Sequence, residues 1–230
     1  MNEIIRRRKS IRKYEQASLE YAVLAKVQGQ ITDLVPLHPD VRYTVEIVGK
    51  TKGVFNISAP YYLVFRSEDK DGAFENLGFI GQQMDLFFSG NGIGSCWLGM
   101  AKPESNENNS LPPVVSMAFG KPAEPLHRDY TDFKRKPLSA ISEGEDKRIE
   151  AARLAPSAMN LQNWFFAAQD GRIHCYRKKT LFDFMMNRLG CIDIGIAICH
   201  IAQESENFSF GKESGAPGRK GFDYMGTVGK

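Results

Sequence analysis

Residues 76–100, NLGFIGQQMDLFFSGNGIGSCWLGM, decide the fold of this 230-residue chain. Asn76 is a helix-capping residue type, and apolar residues recur after it at spacings of three and four, which predicts a buried helix. The glycine- and asparagine-rich residues 89–92 would end that helix. The short apolar run that follows predicts a strand ending at Gly99. The rest of the chain is interpreted as support for this helix, strand and bare glycine.

Two parts of the chain follow one order of elements: helix, strand, strand, capped buried helix, loop and strand. Ser142 and Glu145 predict a capping box that opens the second part, and Asp193 predicts the cap of a helix that is apolar nearly all round. Residues 76–79 pair with 193–196, and residues 117–121 pair with 226–230. Identity between the parts is low, so a chance likeness stays an alternative. A true repeat predicts two halves, 1–141 and 142–230, packed about a pseudo-twofold axis.

Composition indicates an ordinary soluble globular protein, with 42% hydrophobic and 25% charged residues. The formal charge of +3 is too weak to indicate nucleic-acid binding, and much of it lies in one arm, residues 6–13. No apolar run is long enough for a membrane span, and no signal peptide is evident. The cysteines lack paired spacing, so free buried thiols, a cytoplasmic location and no metal site are expected. These cysteines are Cys96, Cys175, Cys191 and Cys199.

Three motifs have both a functional and a structural interpretation. Arg8, Ser10 and Arg12 alternate along an extended arm, so they could share one side and clamp a phosphate, although a solvated basic arm is an alternative. The glycines of residues 90–94 lack the strand before and helix after that a dinucleotide-binding fingerprint needs, which excludes a Rossmann unit. Residues 155–164 are rich in hydrogen-bonding side chains, where a capped turn is an equally good interpretation.

No catalytic side chain can be assigned from spacing. His174 and His200 are isolated in apolar strings, which favours structural roles, and no Ser-His-Asp or Cys-His set can be assembled. If the protein is an enzyme, its chemistry therefore belongs to a cofactor.

Five stretches together resemble the FMN-dependent nitroreductase family. They are RRRKSIRKY (6–14), APYYLVF (59–65), GNGIGSCWLG (90–99), AFGKPAEP (118–125) with RKPL (135–138), and ARLAPSAMNLQNW (152–164). The arrangement is most similar to a single-chain pseudo-dimer subgroup, because the Pro-Ser segment lies far beyond the arm instead of directly after it. The resemblance implies an α+β nitroreductase-like fold, with mixed sheets flanked by helices. It also implies one complete FMN site per chain, with the arm from one half and the Pro-Ser segment from the other.

The resemblance implies binding roles for both ends of FMN. Arg8, Ser10 and Arg135 would hold the phosphate and ribityl end. Arg12 would lie near the N1/O2 edge of the ring, where positive charge stabilises the anionic reduced flavin. One departure from the family pattern is Phe133, which stands where some relatives have a phosphate-binding lysine, and this could lower FMN affinity.

The ring itself would contact the other half and the end of the organising strand. The resemblance implies that Pro156, Ser157 and Asn160 wall the ring. The backbone amide of Gly99 would point at flavin N5, where a Cβ would obstruct the ring. Asn163 replaces the proline that is usual in the family, which is the second departure.

The implied activity is that of an NAD(P)H oxidoreductase. NADH or NADPH would give hydride to flavin N5, and a small planar acceptor such as a nitroaromatic or a quinone would take it. One alternative is a protein that binds flavin without turnover, and another is a flavin-free interaction protein whose arm binds nucleic acid. Neither nucleic acid nor a membrane is the expected partner. The acceptor, the choice of nicotinamide and the oligomeric state stay open, a monomeric pseudo-dimer being one possibility.

Overall fold

A computed structural model describes residues 2–53, 57–104, 110–180 and 183–229, with the backbone alone for 183–186. Six α-helices are assigned in these ranges: α1 (Glu3–Arg7), α2 (Tyr21–Thr32), α3 (Ala73–Gly90), α4 (Leu138–Ile141), α5 (Arg148–Arg153) and α6 (Asp183–Ala202). None of the described helices combines the length and the apolar character that a membrane crossing requires.

The strands form two larger sheets and one small ribbon. The strands are β1 (Tyr43–Val48), β2 (Thr51–Lys52), β3 (Tyr61–Ser67), β4 (Gly94–Leu98), β5 (Lys102–Pro103), β6 (Pro113–Gly120), β7 (Ser142–Glu143), β8 (Trp164–Gln169), β9 (Arg172–Lys178), β10 (Phe210–Gly211) and β11 (Phe222–Val228). The first sheet has the order β1-β3-β6-β4 and the second β10-β11-β9-β8-β7, while β2 pairs with β5. All neighbours are antiparallel except β7 and β8. The architecture is thus α+β, as expected.

The two larger sheets share one topology. In the first, α2, β1, β3, α3, β4 and β6 follow one another along the chain. In the second, α5, β8, β9, α6, β10 and β11 do the same, and corresponding strands occupy corresponding places in the sheets. Strand β7 has no counterpart in the first sheet. Lys230, which the sequence pairs with Lys121, lies outside the described residues.

The centre of the molecule is the crossing of α3 and α6, the most extensively packed pair of helices. A Cβ added to Gly78 would lie 2.0 Å from the carbonyl oxygen of Ile192. A Cβ added to Gly195 would lie 2.0 Å from the carbonyl oxygen of Glu75. Because each contact joins one glycine to the residue three positions before the other, the crossing has the reciprocal form of a twofold contact. The described part of α6 is buried from Cys191 to Ile201, as its composition predicted.

Three capping predictions were wrong. Helix α3 begins at Ala73, after Gly72 in a left-handed conformation (φ 87°), so Asn76 lies inside the helix. Helix α6 likewise begins well before Asp193. Ser142 belongs to β7 and donates its hydroxyl to the carbonyl of Leu138, while α5 begins only at Arg148. The end of α3 at Gly90 and the strand after it were predicted correctly.

Candidate functional site

The N-terminal arm is held against the edge of the first sheet. Ser10 bridges Ser95 of β4 in parallel, and the amide of Ile11 donates to the carbonyl of Ser95 over 2.8 Å. Gly94 permits this approach, because a Cβ there would lie 2.8 Å from the Ile11 side chain. The arm therefore extends the sheet on the edge strand that ends at Gly99.

Glu124 orients the arm from the opposite side. Its carboxylate accepts hydrogen bonds from the amide of Arg12 (2.8 Å), the amide of Lys13 (3.1 Å) and the ammonium of Lys9 (2.9 Å). The bond from the Arg12 amide is the main reason that the pKa of Glu124 lies below its usual value, which burial opposes. This carboxylate fixes the direction of the arm and leaves the Arg12 side chain exposed.

A cavity of about 350 Å³, here called the slot, opens between the two halves of the chain. It is walled by the arm, by β4 and the turn after it, by the Pro-Ser segment and by α6. Five of the predicted site residues line it: Ser10, Arg12, Gly99, Pro156 and Ser157. Its apolar surface comes from Trp97, Leu98, Val115, Leu189, Ile192 and Ile196. A mostly apolar cleft with a few polar groups at one edge is the usual form of a small-molecule site.

A second cavity of about 300 Å³, here called the basic cavity, adjoins the slot. Both cavities are lined by Ser10 and Arg12. The other residues of the basic cavity are Lys9, His127, Arg128 and Asp132. Three cations against one carboxylate make it suitable for an anion.

Arg8 lies beneath these cavities and lines neither of them. Its Nε is 2.7 Å from Oδ2 of Asp85, and both side chains are only 1% exposed. Its Nη2 donates to the Ser10 hydroxyl over 3.2 Å, while its Nη1 is buried without a hydrogen-bond partner among the described residues. The alternation that predicted Arg8, Ser10 and Arg12 on one side therefore holds for Ser10 and Arg12 alone.

Asp85 connects the arm to the slot wall through buried hydrogen bonds. Its Oδ1 accepts from the Ser95 hydroxyl over 2.7 Å, and its Oδ2 accepts from the Gln82 amide over 2.9 Å. The same Gln82 nitrogen lies 3.0 Å from Nε2 of His200 on α6, and its oxygen accepts from the Trp97 indole over 3.3 Å. The network thus joins α3 and β4, which follow the arm in the first part of the chain, to α6 in the second part.

Arg135 and Asn160 contact each other instead of lining either cavity. Nη1 of Arg135 donates to Oδ1 of Asn160 over 2.6 Å, and its Nη2 donates to the carbonyl of Leu154 over 3.2 Å. Its Nε is buried without a hydrogen-bond partner among the described residues. Burial, followed by the charges of Arg8, Arg128 and Arg153, lowers the pKa of Arg135 to about 9.

Phe133 lies between two of these cations. The guanidinium carbon of Arg128 is 4.6 Å from the centre of the Phe133 ring, and that of Arg135 is 5.4 Å from it. Such contacts hold guanidinium groups by cation–π attraction. In place of a lysine charge, Phe133 therefore positions two arginines beside the basic cavity.

The Pro-Ser segment adopts a strained conformation. Met159, Asn160 and Gln162 have φ angles of 49°, 57° and 50°, in the left-handed region that residues with a Cβ rarely adopt. The Ser157 hydroxyl accepts from the amide of Gln162 over 3.0 Å and helps to close the turn. A conformation of this kind persists only where the surroundings enforce it, as they often do at binding sites.

Gly99 lies where the strand turns away from the slot. A Cβ at this position would first meet the side chain of Leu189 on α6, at 2.9 Å. The family resemblance implies that the missing Cβ of Gly99 leaves room for a ligand ring. In the structure, the missing Cβ first leaves room for the side chain of Leu189, which also lines the slot.

Several residues of the site were not assigned by sequence reasoning. Glu124 lies in the AFGKPAEP stretch (118–125) and Arg128 follows it closely. A single sequence does not show which segment their side chains contact. Asp193 was interpreted as a helix cap without a partner. In the structure it lines the slot, and its oxygens accept from the amide of Ala158 over 2.9 and 3.1 Å.

The histidine and cysteine predictions were correct. His174 is bonded to the Thr227 hydroxyl (2.7 Å), and Nδ1 of His200 lies 2.8 Å from the Ala151 carbonyl oxygen. All four cysteines are buried, and none forms a disulfide with another described residue. These residues carry no sign of chemistry of their own.

Comparison with known proteins places this chain in a family. Residues 1–205 match the profile of the family described as "Putative TM nitroreductase". A solved structure of a putative nitroreductase from Thermotoga maritima MSB8 is 20% identical and has a TM-score of 0.66, covering 98% of this chain and 90% of that one. A nitroreductase family protein from Clostridium difficile 630 is 17% identical with a TM-score of 0.50, covering 64% of this chain and 99% of that one. A search of curated proteins gave no match.

At these identities the solved structures establish the fold, and the family profile, which spans most of the chain, establishes the relationship. The fold with its two sheets and central helix pair agrees with both findings. The chain therefore belongs to this nitroreductase family.

Proposed function

We propose that the protein is an FMN-dependent NAD(P)H oxidoreductase. The observation that carries this proposal is the meeting of an apolar slot and a basic cavity at Ser10 and Arg12. FMN has the same division into a planar ring and a phosphate. Hydride transfer from NADH or NADPH to a small planar acceptor, such as a nitroaromatic or a quinone, is the chemistry that FMN supplies when bound.

The residues present fit both ends of FMN. Next to the basic cavity, Arg8 and Arg135 each have a buried nitrogen without a hydrogen-bond partner among the described residues. Burial, followed by the neighbouring arginine charges, lowers the pKa of Arg135, and a bound phosphate would offset this effect. In the slot, Arg12 would stabilise negative charge at the ring edge, while Pro156, Ser157 and the backbone at Gly99 would confine the ring. Apolar walls would keep water from the reacting face.

We further propose that the chain is an internally duplicated pseudo-dimer with halves 1–141 and 142–230. The shared strand order of the two larger sheets and the reciprocal contacts of Gly78 and Gly195 support this proposal. Because the slot takes its walls from both halves, a monomer would contain a complete site. Light scattering of the purified protein measures the oligomeric state.

The arm is held in place, which favours a small-molecule site over nucleic-acid binding. Arg8 is buried, and the backbone of the arm is bonded to β4 and to residues 121–128. Binding to nucleic acid would need most of the arm's cations for phosphates, whereas Arg8 is held by Asp85 and Lys9 by Glu124. Filter binding of a labelled oligonucleotide at low salt is expected to give no retention beyond that of a neutral control protein.

Absorption spectroscopy tests the main proposal. The purified protein, or the protein reconstituted with FMN, should show the yellow absorption band of an oxidised flavin. Addition of NADH or NADPH should bleach this band, and a quinone such as menadione should restore it. A bound flavin that neither nicotinamide bleaches would instead support binding without turnover. A protein that FMN cannot reconstitute would refute the flavin proposal.

A pair of charge reversals tests the placement. Arg12→Glu should weaken FMN binding at least about tenfold, a loss of about 1.4 kcal/mol, because it puts a carboxylate where both cavities meet. Lys13→Glu is the matched control, since Lys13 is equally exposed but lines neither cavity. Quenching of FMN fluorescence measures both affinities. Equal affinities for the two variants would contradict the placement of Arg12.

A further inference from the structure

Asp193 has an internal counterpart, Asn76, which also accepts hydrogen bonds from a distant segment but carries no charge. Asn76 occupies the corresponding place on α3, two residues before the glycine of the helix crossing. Its Oδ1 accepts from the amides of Leu37 (2.8 Å) and His38 (3.0 Å), in the segment after α2. Asp193 accepts from the amide of Ala158, in the segment after α5. An amide oxygen is therefore sufficient to hold such a segment.

Asp193 carries a titratable proton, which is not needed to hold the segment after α5. The residue is 6% exposed and lines the slot. It has no ion-pair partner among the described residues. Burial raises its pKa to about 7, and the bond from the Ala158 amide opposes the rise. Near neutral pH the carboxyl can thus be either protonated or ionised.

The surrounding charges do not account for this behaviour. Apart from Asp193, the titratable groups described on the arm, β4, α3, α5, β9 and α6 are Arg6, Arg7, Arg8, Lys9, Arg12, Lys13, Cys96, Glu75, Asp85, Arg148, Glu150, Arg153, Arg172, His174, Cys175, Tyr176, Arg177, Lys178, Arg188, Cys191, Cys199 and His200. The change in the pKa of Asp193 has two causes alone, burial and the Ala158 amide. The state of the carboxyl therefore responds to a new charge placed in the slot itself.

We propose that Asp193 is the proton-exchanging residue of the slot, taking up a proton from solvent when negative charge arrives on the ring bound there. The inference rests on the proposed function. A hydride brings two electrons and one proton to the oxidised ring, which leaves the ring one charge more negative. The ionised carboxylate of Asp193 then binds one proton from water, so the charge of the slot is unchanged. When an acceptor removes the hydride, the carboxyl returns this proton.

The dependence of the flavin midpoint potential on pH tests this inference. Between pH 7 and 9 the wild-type potential should fall more steeply than that of Asp193→Asn, by up to about 30 mV per pH unit, because up to one extra proton is bound per two electrons and a tenfold change is about 30 mV for a two-electron couple. Asn76 indicates that the asparagine variant can hold its segment. Equal slopes in two flavin-loaded proteins would overturn the role of Asp193 and leave the proposed function intact. Failure of the wild type to bind FMN would overturn the proposed function instead.

A measurement on the wild type alone covers the case in which the variant does not fold. NMR of protein labelled with carbon-13 at the aspartate carboxyl groups gives the pKa of Asp193 in the FMN-loaded protein before and after reduction. The pKa should rise by at least about two units on reduction, so that most of one proton is taken up between the two values. An unchanged pKa would contradict the inference.

Discussion

Replacing either glycine at the crossing of α3 and α6 by alanine should destabilise the protein by about 2 kcal/mol. A Cβ at Gly78 or Gly195 would lie 2.0 Å from a backbone carbonyl oxygen of the facing helix. A carbonyl group inside a helix cannot rotate aside as a flexible side chain can. The two helices would have to separate by roughly 1.5 Å to restore an ordinary contact, and this would loosen the packing on both sides.

The magnitude follows from two opposing contributions. Forcing extra volume into a packed core costs about 1–3 kcal/mol, and a backbone clash belongs at the upper end. The greater helix propensity of alanine returns up to about 1 kcal/mol. The net loss of about 2 kcal/mol corresponds to a fall in Tm of about 4–8 °C for a protein of this size.

Thermal and urea unfolding, followed by circular dichroism, measure the effect. Gly29→Ala is the matched control, because Gly29 lies in α2 and a Cβ there would meet nothing within 4 Å. This control should raise Tm by about 2–4 °C. The double variant Gly78→Ala/Gly195→Ala should cost less than the sum of the single variants, since one separation of the helices accommodates both methyl groups. A Tm at or above that of the wild type for either single variant would refute the close crossing.

Three further predictions concern the buried network and the slot. Asp85→Ala should lower the free energy of unfolding by about 3–5 kcal/mol, because it leaves Arg8 buried without its counter-ion, and urea unfolding checks this. The pKa of His200 is lowered to about 3, mainly by burial, so the unfolded chain binds its proton first and stability should be lost as pH falls from about 6.5 towards 3. In His200→Gln that part of the acid sensitivity should disappear from pH-dependent urea unfolding, and parallel profiles would contradict it. Gly99→Ala should leave Tm within about 2 °C, because the end of Leu189 can move, yet it should weaken FMN binding in a fluorescence titration by narrowing the slot.

The sequence predicted the buried helices well but the residues at which they begin poorly, for one physical reason. Asn76 and Asp193 are helix-capping residue types, and local chemistry placed them at helix starts. In the structure both are buried inside helices, where they accept hydrogen bonds from distant backbone amides. The same oxygen can serve a local cap or a tertiary contact, and a single sequence does not distinguish the two.

In the candidate site, residues placed by their backbone differ in the same way from residues with long cationic side chains. Gly99 and Pro156, which the family resemblance implied as flavin contacts, line the slot, and their contact with flavin stays a prediction. Among the long cationic side chains, Arg12 lines both cavities, whereas Arg8 and Arg135 line neither, because their positions depend on partners elsewhere in the chain. Arg8 turns inward to Asp85, and Arg135 turns to Asn160. Spacing along an extended arm determines the direction in which a side chain leaves the backbone. The position of the guanidinium group at the end of a long arginine side chain depends instead on the nearest carboxylate or carbonyl oxygen.

The proposed internal duplication also predicts a stoichiometry of one FMN per chain. The correspondence of Gly78 with Gly195 puts Gly72, Glu75 and Phe79 in the places of Leu189, Ile192 and Ile196, which line the slot. At that second position the molecule is filled by its own rings. These are the rings of His38 and Phe210, whose centres lie 5.8 Å apart, and those of Phe79 and Phe208, which stack at 5.5 Å.

These rings occupy the place that corresponds to the slot. Nε2 of His38 lies 3.7 Å from a carboxylate oxygen of Glu75, and the ring also covers Gly72, where a Cβ would approach to 2.9 Å. Titration of the protein with FMN, followed by ultrafiltration and absorbance of the retained flavin, should therefore saturate at one FMN per chain. His38→Ala/Phe210→Ala should open space without creating a second site, because the basic arm exists in the first half alone. Two equivalents bound to the wild type would show that the second position is open, and the asymmetry argued from these four rings would be wrong.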